Sequence, residues 1–328
     1  MIVFLIIIET RMGIKFLNKV LRSQCQNAIK KIHFGELQWK KIAVDISIYM
    51  YKFKGEHALM EQMYLMINIF RHYNIVPIFV FDGKPPEEKR ELLNQRKEQK
   101  RMANINYELL KEQLDMAENE EDKQALTIKM NMELRKTTKI TQTDIARVKQ
   151  LISALGVTYC EAPGEADSMC AYLVHKKLVY GCMSEDMDMF VYGCDRVFRY
   201  VSLSNRTCIF YDLPRILQSL EMSFQEFKEV CILAGTDYNI DSNEMNLYNI
   251  IKYFKKYKKQ DNIRGFVTWM LENDKIETVE QIESIHDMFN MSNKSHLSEI
   301  CDKLVIKNVN VNKVEIESLL KSNNFIFI

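Results

Sequence analysis

Seven carboxylates in this sequence stand out for where they fall. Asp45, Asp82 and the pair Asp186 and Asp188 each follow a short apolar run: IAVD, VPIFVFD and LVYGCMSEDMD. Asp237 ends another run, VCILAGTD, and Glu165 and Asp167 follow the turn signal Pro163-Gly164 at the start of a helical pattern. Taken singly, each is an ordinary loop acid or cap, since helix N-termini favour negative charge and Asp opens turns. Together they converge if the runs are neighbouring strands, because open parallel sheets form ligand sites outside the strands' carboxyl ends. Carboxylates so crowded must be protonated or bind metal. A set of oxygen donors favours hard ions, magnesium or manganese, over zinc. Two such ions about 3.5–4 Å apart can activate water, bind a phosphate and stabilise a leaving oxygen.

The elements that must position these acids are legible from the apolar runs. Lys41–Val44, Val76–Phe81 and Leu178–Met183 read as buried strands, with Val157–Tyr159 a fourth. Arg196–Tyr200 and Cys208–Tyr211 are also extended. Helix-like sequence flanks each run, which predicts βα units and a mostly parallel sheet covered on both faces. From Pro86 to Gly156 there is no intervening Gly or Pro, and Glu87–Leu114 and 122–135 are rich in helix formers. This charged stretch predicts a helical insertion or coiled-coil arm over about residues 87–140. Asn246–Tyr257 carries helical apolar spacing, and one more helix is expected within 311–328.

The 328 residues are 47% hydrophobic, enough for one large domain or two smaller ones. Net charge is +1, so any grip on nucleic acid must come from local basic patches rather than bulk charge. Eight cysteines include no C-x-x-C pair and sit among apolar residues, which predicts reduced core thiols in an intracellular protein. The opening MIVFLIII is too short to span a bilayer and lacks the flanks of a secretory signal. Met12-Gly13 offers a second start, although Leu17 stands where myristoylation would want Ser or Thr. No membrane association is expected.

Two basic patches qualify. Lys89, Arg96 and Lys100, spaced seven and four apart, share a helical face and could neutralise developing phosphate charge. Glu87, Glu88, Glu91 and Glu98 are interleaved, so a solvated helix with Glu–Lys pairs competes. Lys252, Lys255, Lys256, Lys258 and Lys259 form a second candidate phosphate face.

The segments MGIKFL, IAVDISIYMYKF, PIFVFDGKPPEEKRELL, APGEADSMCAYL, SEDMDMFVYG and VCILAGTDY, in that order, resemble the XPG family of structure-specific nucleases, and within it the flap endonucleases. The resemblance runs from Met12 to about Tyr257. It implies a PIN-like α/β fold: a central twisted, mostly parallel sheet flanked by helices, with a helical arch and a C-terminal helical DNA-binding region. The implied organisation is an extension over 1–11, an N-terminal nuclease region over 12–110, an internal nuclease region over 145–236 and a divergent helix–two-turn–helix region over 237–328.

By resemblance, Asp45, Asp82, Glu165, Asp167, Asp186, Asp188 and Asp237 match the family's metal-site acids, holding two Mg2+ with Mn2+ as a substitute. Asp167 replaces the usual Glu, so it is expected to act through water. Lys89 and Arg96 match arch residues that reach the scissile phosphate. Tyr51 matches a tyrosine that stacks on a base, with Tyr49 and Phe53 as core neighbours. Gly13 matches the glycine that begins mature relatives and lies near DNA; residues 1–11, if retained, would crowd the site.

Two departures stand out. NIDSNEMNLYNII has no glycine where relatives carry the hairpin that holds duplex phosphates and potassium, and NNFIFI lacks the Gln of a sliding-clamp peptide. The expected activity is hydrolysis at 5′ flaps or single/double-strand junctions of branched DNA by a monomer, in replication or repair. The expected location is nuclear by resemblance, with the cytoplasm as alternative. A 5′ exonuclease or junction resolvase of the same family is one competing reading. An inactive DNA-binding scaffold is another, disfavoured because an idle site would not tolerate seven repelling acids.

Overall fold

The structure is a computed structural model, and it describes residues 13–239, 245–260, 265–277, 279–306 and 311–321. The extension 1–11, Met12, most of the segment between Asp237 and Met245, and the terminal NNFIFI lie outside the described residues. The chain divides into two compact units. The sheet unit comprises Met1–Ile46, Ile69–Pro85 and Thr158–Ile306; the helical unit comprises Ser47–Asn68, Pro86–Val157 and Lys307–Ile328.

The sheet unit is built on seven strands: β1 (Ile29–His33), β2 (Lys41–Asp45), β3 (Val76–Phe81), β4 (Thr158–Glu161), β5 (Gly181–Met183), β6 (Arg196–Ser202) and β7 (Thr207–Asp212). Their order is β1-β7-β6-β5-β2-β3-β4. The run β6-β5-β2-β3-β4 is parallel, and β7 and β1 add antiparallel strands at one edge. The expected mostly parallel sheet is therefore present, with β2 at the centre of its parallel run. β5 is shorter than its apolar run: it begins at Gly181, where a Cβ would lie 2.7 Å from the Arg196 carbonyl oxygen on β6. β1 was not read from the sequence. Its IKKIH pattern buries only Ile32, and lysines suit an exposed edge strand.

Continuous apolar runs require cover on both faces. Ala43, Ile78, Val80, Cys182, Val197 and Tyr211 belong to one core. That core also takes in the helices Ala166–His175, Leu213–Leu220, Phe224–Ala234, Leu247–Lys258 and Phe266–Glu272. The alternate residues Ile42, Val44, Phe79, Met183 and Phe198 are buried as completely. Removing such a side chain from water stabilises by about 1.5–3 kcal/mol. Seven cysteines are buried and none is disulfide-bonded, as expected for core thiols; burial pushes Cys25 up to about 11 and Cys208 up to about 12.

In the helical unit, the charged insertion forms a hairpin of two long helices, Arg90–Met116 and Glu120–Lys136. Asn119 turns the chain by accepting a hydrogen bond from the Asp122 amide at 2.7 Å. The next helix, Gln142–Ala154, starts in a Thr141/Asp144 capping box, and Asp144 also pairs with Lys54 at 2.7 Å. Among the described residues, no helix is long and apolar enough to cross a membrane.

Candidate active site

The parallel register explains why the acids meet. Val44 lies opposite Met183 on β5, and Asp45 opposite Val80 on β3, so the residues just beyond share one edge of the sheet. Ser184, the first residue past β5, donates its hydroxyl to Asp45 Oδ2 at 3.0 Å and accepts the Asp186 amide at 3.1 Å. Asp186 Oδ1 in turn accepts the Asp188 amide at 2.8 Å. This chain of bonds fixes the SEDMD turn against the central strand.

Asp82 follows β3 and accepts the Ala166 amide at 2.8 Å, at the N-terminus of the helix Ala166–His175. A carboxylate is favoured there by the exposed amides and the helix dipole. Gly83 N–H bonds the Gly164 carbonyl at 2.6 Å, and a Cβ on Gly83 would lie 2.1 Å from the Ala162 carbonyl oxygen. Glycine is therefore required for the two loops to meet.

The same helix start supplies two more acids. Glu165 is its N-cap and Asp167 lies in its first turn. Tyr238 donates its hydroxyl to Glu165 Oε2 at 2.6 Å, and burial, then Tyr192 and Glu165, hold that phenol far above its usual range. Asp45 and Asp167 both act on the buried Cys170 thiol, which burial and Cys182 already push well up.

Asp237 lies in the turn after the helix Phe224–Ala234. Asn239 fixes that turn through the Thr236 amide and hydroxyl and the Ile232 carbonyl. Gly13 links this acid to the SEDMD turn. Its amide donates to Asp237 Oδ1 at 3.2 Å. At φ +66°, a Cβ there would lie 2.5 Å from Asp186 Oδ1 and 2.7 Å from Asp188 Oδ1. Only a glycine backbone can lie against these carboxylates.

All seven sequence-predicted acids thus belong to the sheet unit, on its carboxyl edge or the loops bonded to it. Asp45, Asp186, Asp188 and Asp237 are buried, Glu165 and Asp167 partly so, and Asp82 is exposed. The donor set is carboxylate oxygen alone, which fits a hard divalent cation. Among the described residues, no three His, Cys, Asp or Glu side chains close tightly enough to enclose an ion unaided.

Glu185, between the turn's other acids, has a different task that sequence reasoning missed. Its Oε1 accepts the Tyr200 amide at 2.6 Å, and its carbonyl accepts Arg199 Nη2 at 2.8 Å. Arg199 and Glu185 form a buried ion pair at 3.8 Å, and Arg199 also donates to Asn18. The bulge between Arg199 and Ser202, with Tyr200 at φ +55°, presents these groups to the turn. Only the tertiary pairing of β5 with β6 distinguishes Glu185 from its neighbours.

The remaining candidates lie elsewhere. In the helical unit Lys89 is buried at the end of a short 3-10 turn, and Arg96 and Lys100 are on the helix Arg90–Met116. Lys100 donates to the Thr138 carbonyl at 3.0 Å and lies 5.2 Å from the centre of the Tyr51 ring. Burial, then Lys139 and Arg96, hold its pKa down, so this unit concentrates positive charge there. Tyr51 is 41% exposed while Tyr49 and Phe53 are buried, which separates the candidate stacking residue from its core neighbours. In the sheet unit Lys252, Lys255 and Lys256 are exposed on one helix, whereas Lys258 pairs with Glu226 at 2.9 Å.

A mostly parallel sheet flanked by helices, with carboxylates along its carboxyl edge, is the arrangement of the PIN-like nucleases. The family models agree: the XPG N-terminal domain matches residues 12–103 and the XPG I-region residues 156–237. The chain belongs to the XPG family of nucleases. It is 31% identical to flap endonuclease 1 of Encephalitozoon cuniculi, over 81% of this chain and 77% of that protein. It is 29% identical to a probable RAD2-like endonuclease of Invertebrate iridescent virus 6, over 82% and 76%. Solved structures with the same fold include the catalytic core of Rad2 in complex with DNA substrate (TM-score 0.63, 22% identity, 95% of each chain). Flap endonuclease-1 from Methanococcus jannaschii is another (TM-score 0.54, 21% identity, 92% of this chain and 99% of that one).

Proposed function

We propose that this nuclease hydrolyses DNA phosphodiesters at 5′ flaps or other single/double-strand junctions, with two Mg2+ ions held at the carboxylate edge. The observation that carries this reading is the hydrogen-bonded chain Asp45–Ser184–Asp186–Asp188 on one sheet edge, with Gly13 packed against Asp186 and Asp188 while its amide bonds Asp237. When bound, the metal supplies Lewis acidity and an activated water. Asp45, Asp82, Glu165, Asp186, Asp188 and Asp237 would hold the ions, and Asp167 would act through water. A new P–O bond forms from water, the scissile P–O ester bond breaks, and the departing sugar oxygen gains a proton.

Ser184 and Tyr238 orient the carboxylates through hydroxyl donors, so less reorganisation is needed at reaction. In this reading Lys89 and Arg96 neutralise charge on the phosphate. Tyr51 stacks on a base near the cut, and Lys252, Lys255 and Lys256 hold the duplex backbone. A monomer acting in DNA replication or repair, in the nucleus, completes the proposal; Mn2+ should substitute for Mg2+.

Labelled flap, nicked, gapped and four-way substrates compared side by side test it. Mg2+-dependent cleavage strongest on the 5′ flap is expected. Cleavage strongest on the four-way junction would move the assignment to a resolvase, and none on any substrate would leave only a binding scaffold.

A further inference from the structure

We propose that Phe16 and Tyr248 form a stacking platform for a nucleobase of the DNA substrate, continued by a lysine track along the helix Leu247–Lys258. The proposal rests on the nuclease reading above, but its test separates the two.

Phe16 is 54% exposed although Ile14 and Leu17 beside it are buried. Its backbone is left-handed at φ +65°, an uncommon and strained conformation for a bulky side chain. This conformation brings no burial in return: the ring faces outward, 6.1 Å centre to centre from the Tyr248 ring at 48°. Tyr248 is itself 42% exposed. Two large aromatic rings held side by side in water contribute little to folding, and an exposed aromatic face is what a base needs.

The position points to DNA. Phe16 is three residues from Gly13, whose amide and Cα lie against Asp237, Asp186 and Asp188. A base on the pair would therefore be near the acidic edge. Tyr248 opens the helix Leu247–Lys258, whose first turn is ordered by Asn246 capping the Asn249 amide at 3.0 Å. Lys252, Lys255, Lys256 and Lys259 recur behind Tyr248 at helical spacing, all exposed. From Tyr248 to Lys259 is about 16 Å of helix. That length can follow several phosphates at roughly 3.4 Å of rise per nucleotide. Lys15 and Lys19 are exposed beside Phe16 and add charge of the same sign. An aromatic platform with a basic track is the arrangement that binds bases by stacking and backbone by charge, with little sequence preference.

The test uses the full chain and flap DNA carrying 2-aminopurine at each position around the junction in turn, with Ca2+ in place of Mg2+ to hold back cleavage. Stacking on the pair should quench one position on binding, and Phe16→Ala, Tyr248→Ala and the double variant should abolish that quench. Affinity should fall about tenfold in each single variant, with the single-turnover rate at saturation nearly unchanged. Phe16→Gly separates binding from folding: it relaxes the left-handed backbone, so Tm should hold or rise while DNA affinity falls. A quench that persists in the double variant overturns the proposal, as does unchanged affinity or a Tm that drops in Phe16→Gly. Quenching that emerges only after residues 1–11 are removed assigns the pair to that segment and also overturns it. A chain that binds and cuts flap DNA without these effects sinks the platform alone, whereas one that neither binds nor cuts sinks the nuclease reading.

Discussion

The backbone amide of Gly13 donates to Asp237 Oδ1 at 3.2 Å, joining positions 224 residues apart in the chain. The start of the described chain is thereby fixed among the carboxylates, with Asp186 and Asp188 on the other side of its Cα. Gly13→Ala should therefore damage the site directly. The added methyl meets two carboxylate oxygens, and φ +66° disfavours any Cβ. Because misplacing a reacting group by about 1 Å can cost ~100-fold, cleavage should fall by that order. Single-turnover assays alongside thermal melts check it; a fully active Gly13→Ala enzyme would show that the carboxylates tolerate displacement.

Asp188 is 1% exposed and lies in a field of like charge. In chelator, Asp188→Asn should raise stability by about 1–2 kcal/mol, because one repelling buried charge is removed. Cleavage should disappear. The rise in Tm that Mg2+ produces in the parent should shrink, since stabilisation by a ligand follows its affinity for the folded state. Asp82→Ala should lose cleavage while keeping both fold and DNA binding. Circular dichroism and a gel-shift assay with flap DNA report on these.

The buried pair Arg199–Glu185 predicts an asymmetry. Arg199→Ala strands Glu185 as an uncompensated buried charge and should destabilise by about 3–5 kcal/mol. Arg199→Lys should recover only part of that, because an ammonium cannot reach the Glu185 carbonyl and Asn18 with the same fork of donors. Replacing both partners with Met should cost less than Arg199→Ala. Denaturant melts of the four proteins rank these stabilities.

Lys228 is buried on the helix Phe224–Ala234, and burial lowers its pKa from 10.5 to about 8, with Asp287 opposing the shift. The unfolded chain keeps the proton up to 10.5, whereas the fold releases it near 8. Between those values the unfolded state binds more protons, so stability rises with pH; below them the penalty for burying the charge is fully present. Lys228→Met should therefore stabilise at pH 7 by on the order of 2–3 kcal/mol. The gain should vanish by about pH 10 to 11, which chemical denaturation across pH 7–11 would reveal.

The central strands and the acids after them were legible because a strand buried on both faces must be continuously apolar, and the first charged residue marks its end. KIAVD and VPIFVFD show this directly. The hairpin of the helical unit was legible for the opposite reason: a long stretch of helix formers with no Gly or Pro leaves few alternatives to helix. β1 was not, because an edge strand with two lysines carries too little apolar pattern to register. The task of Glu185 was not legible either, since nothing in SEDMD shows that the residue before Asp186 pairs with an arginine on the neighbouring strand.

Residue types and their order by themselves determined the chemistry on offer: seven hard oxygen donors placed at the ends of apolar runs and at a helix start, a highly charged helical arm and reduced core thiols. These follow from local rules of burial and propensity, which act over a few residues at a time. Only the folded chain decided which groups touch: Ser184 on Asp45, Tyr238 on Glu165, Gly13 against three acids, and Phe16 beside Tyr248. Those partners are 73 to 232 residues apart, and their meeting depends on strand register and on backbone angles such as the left-handed turn at Phe16. Such contacts arise from packing the whole unit, so no short window of sequence can encode them.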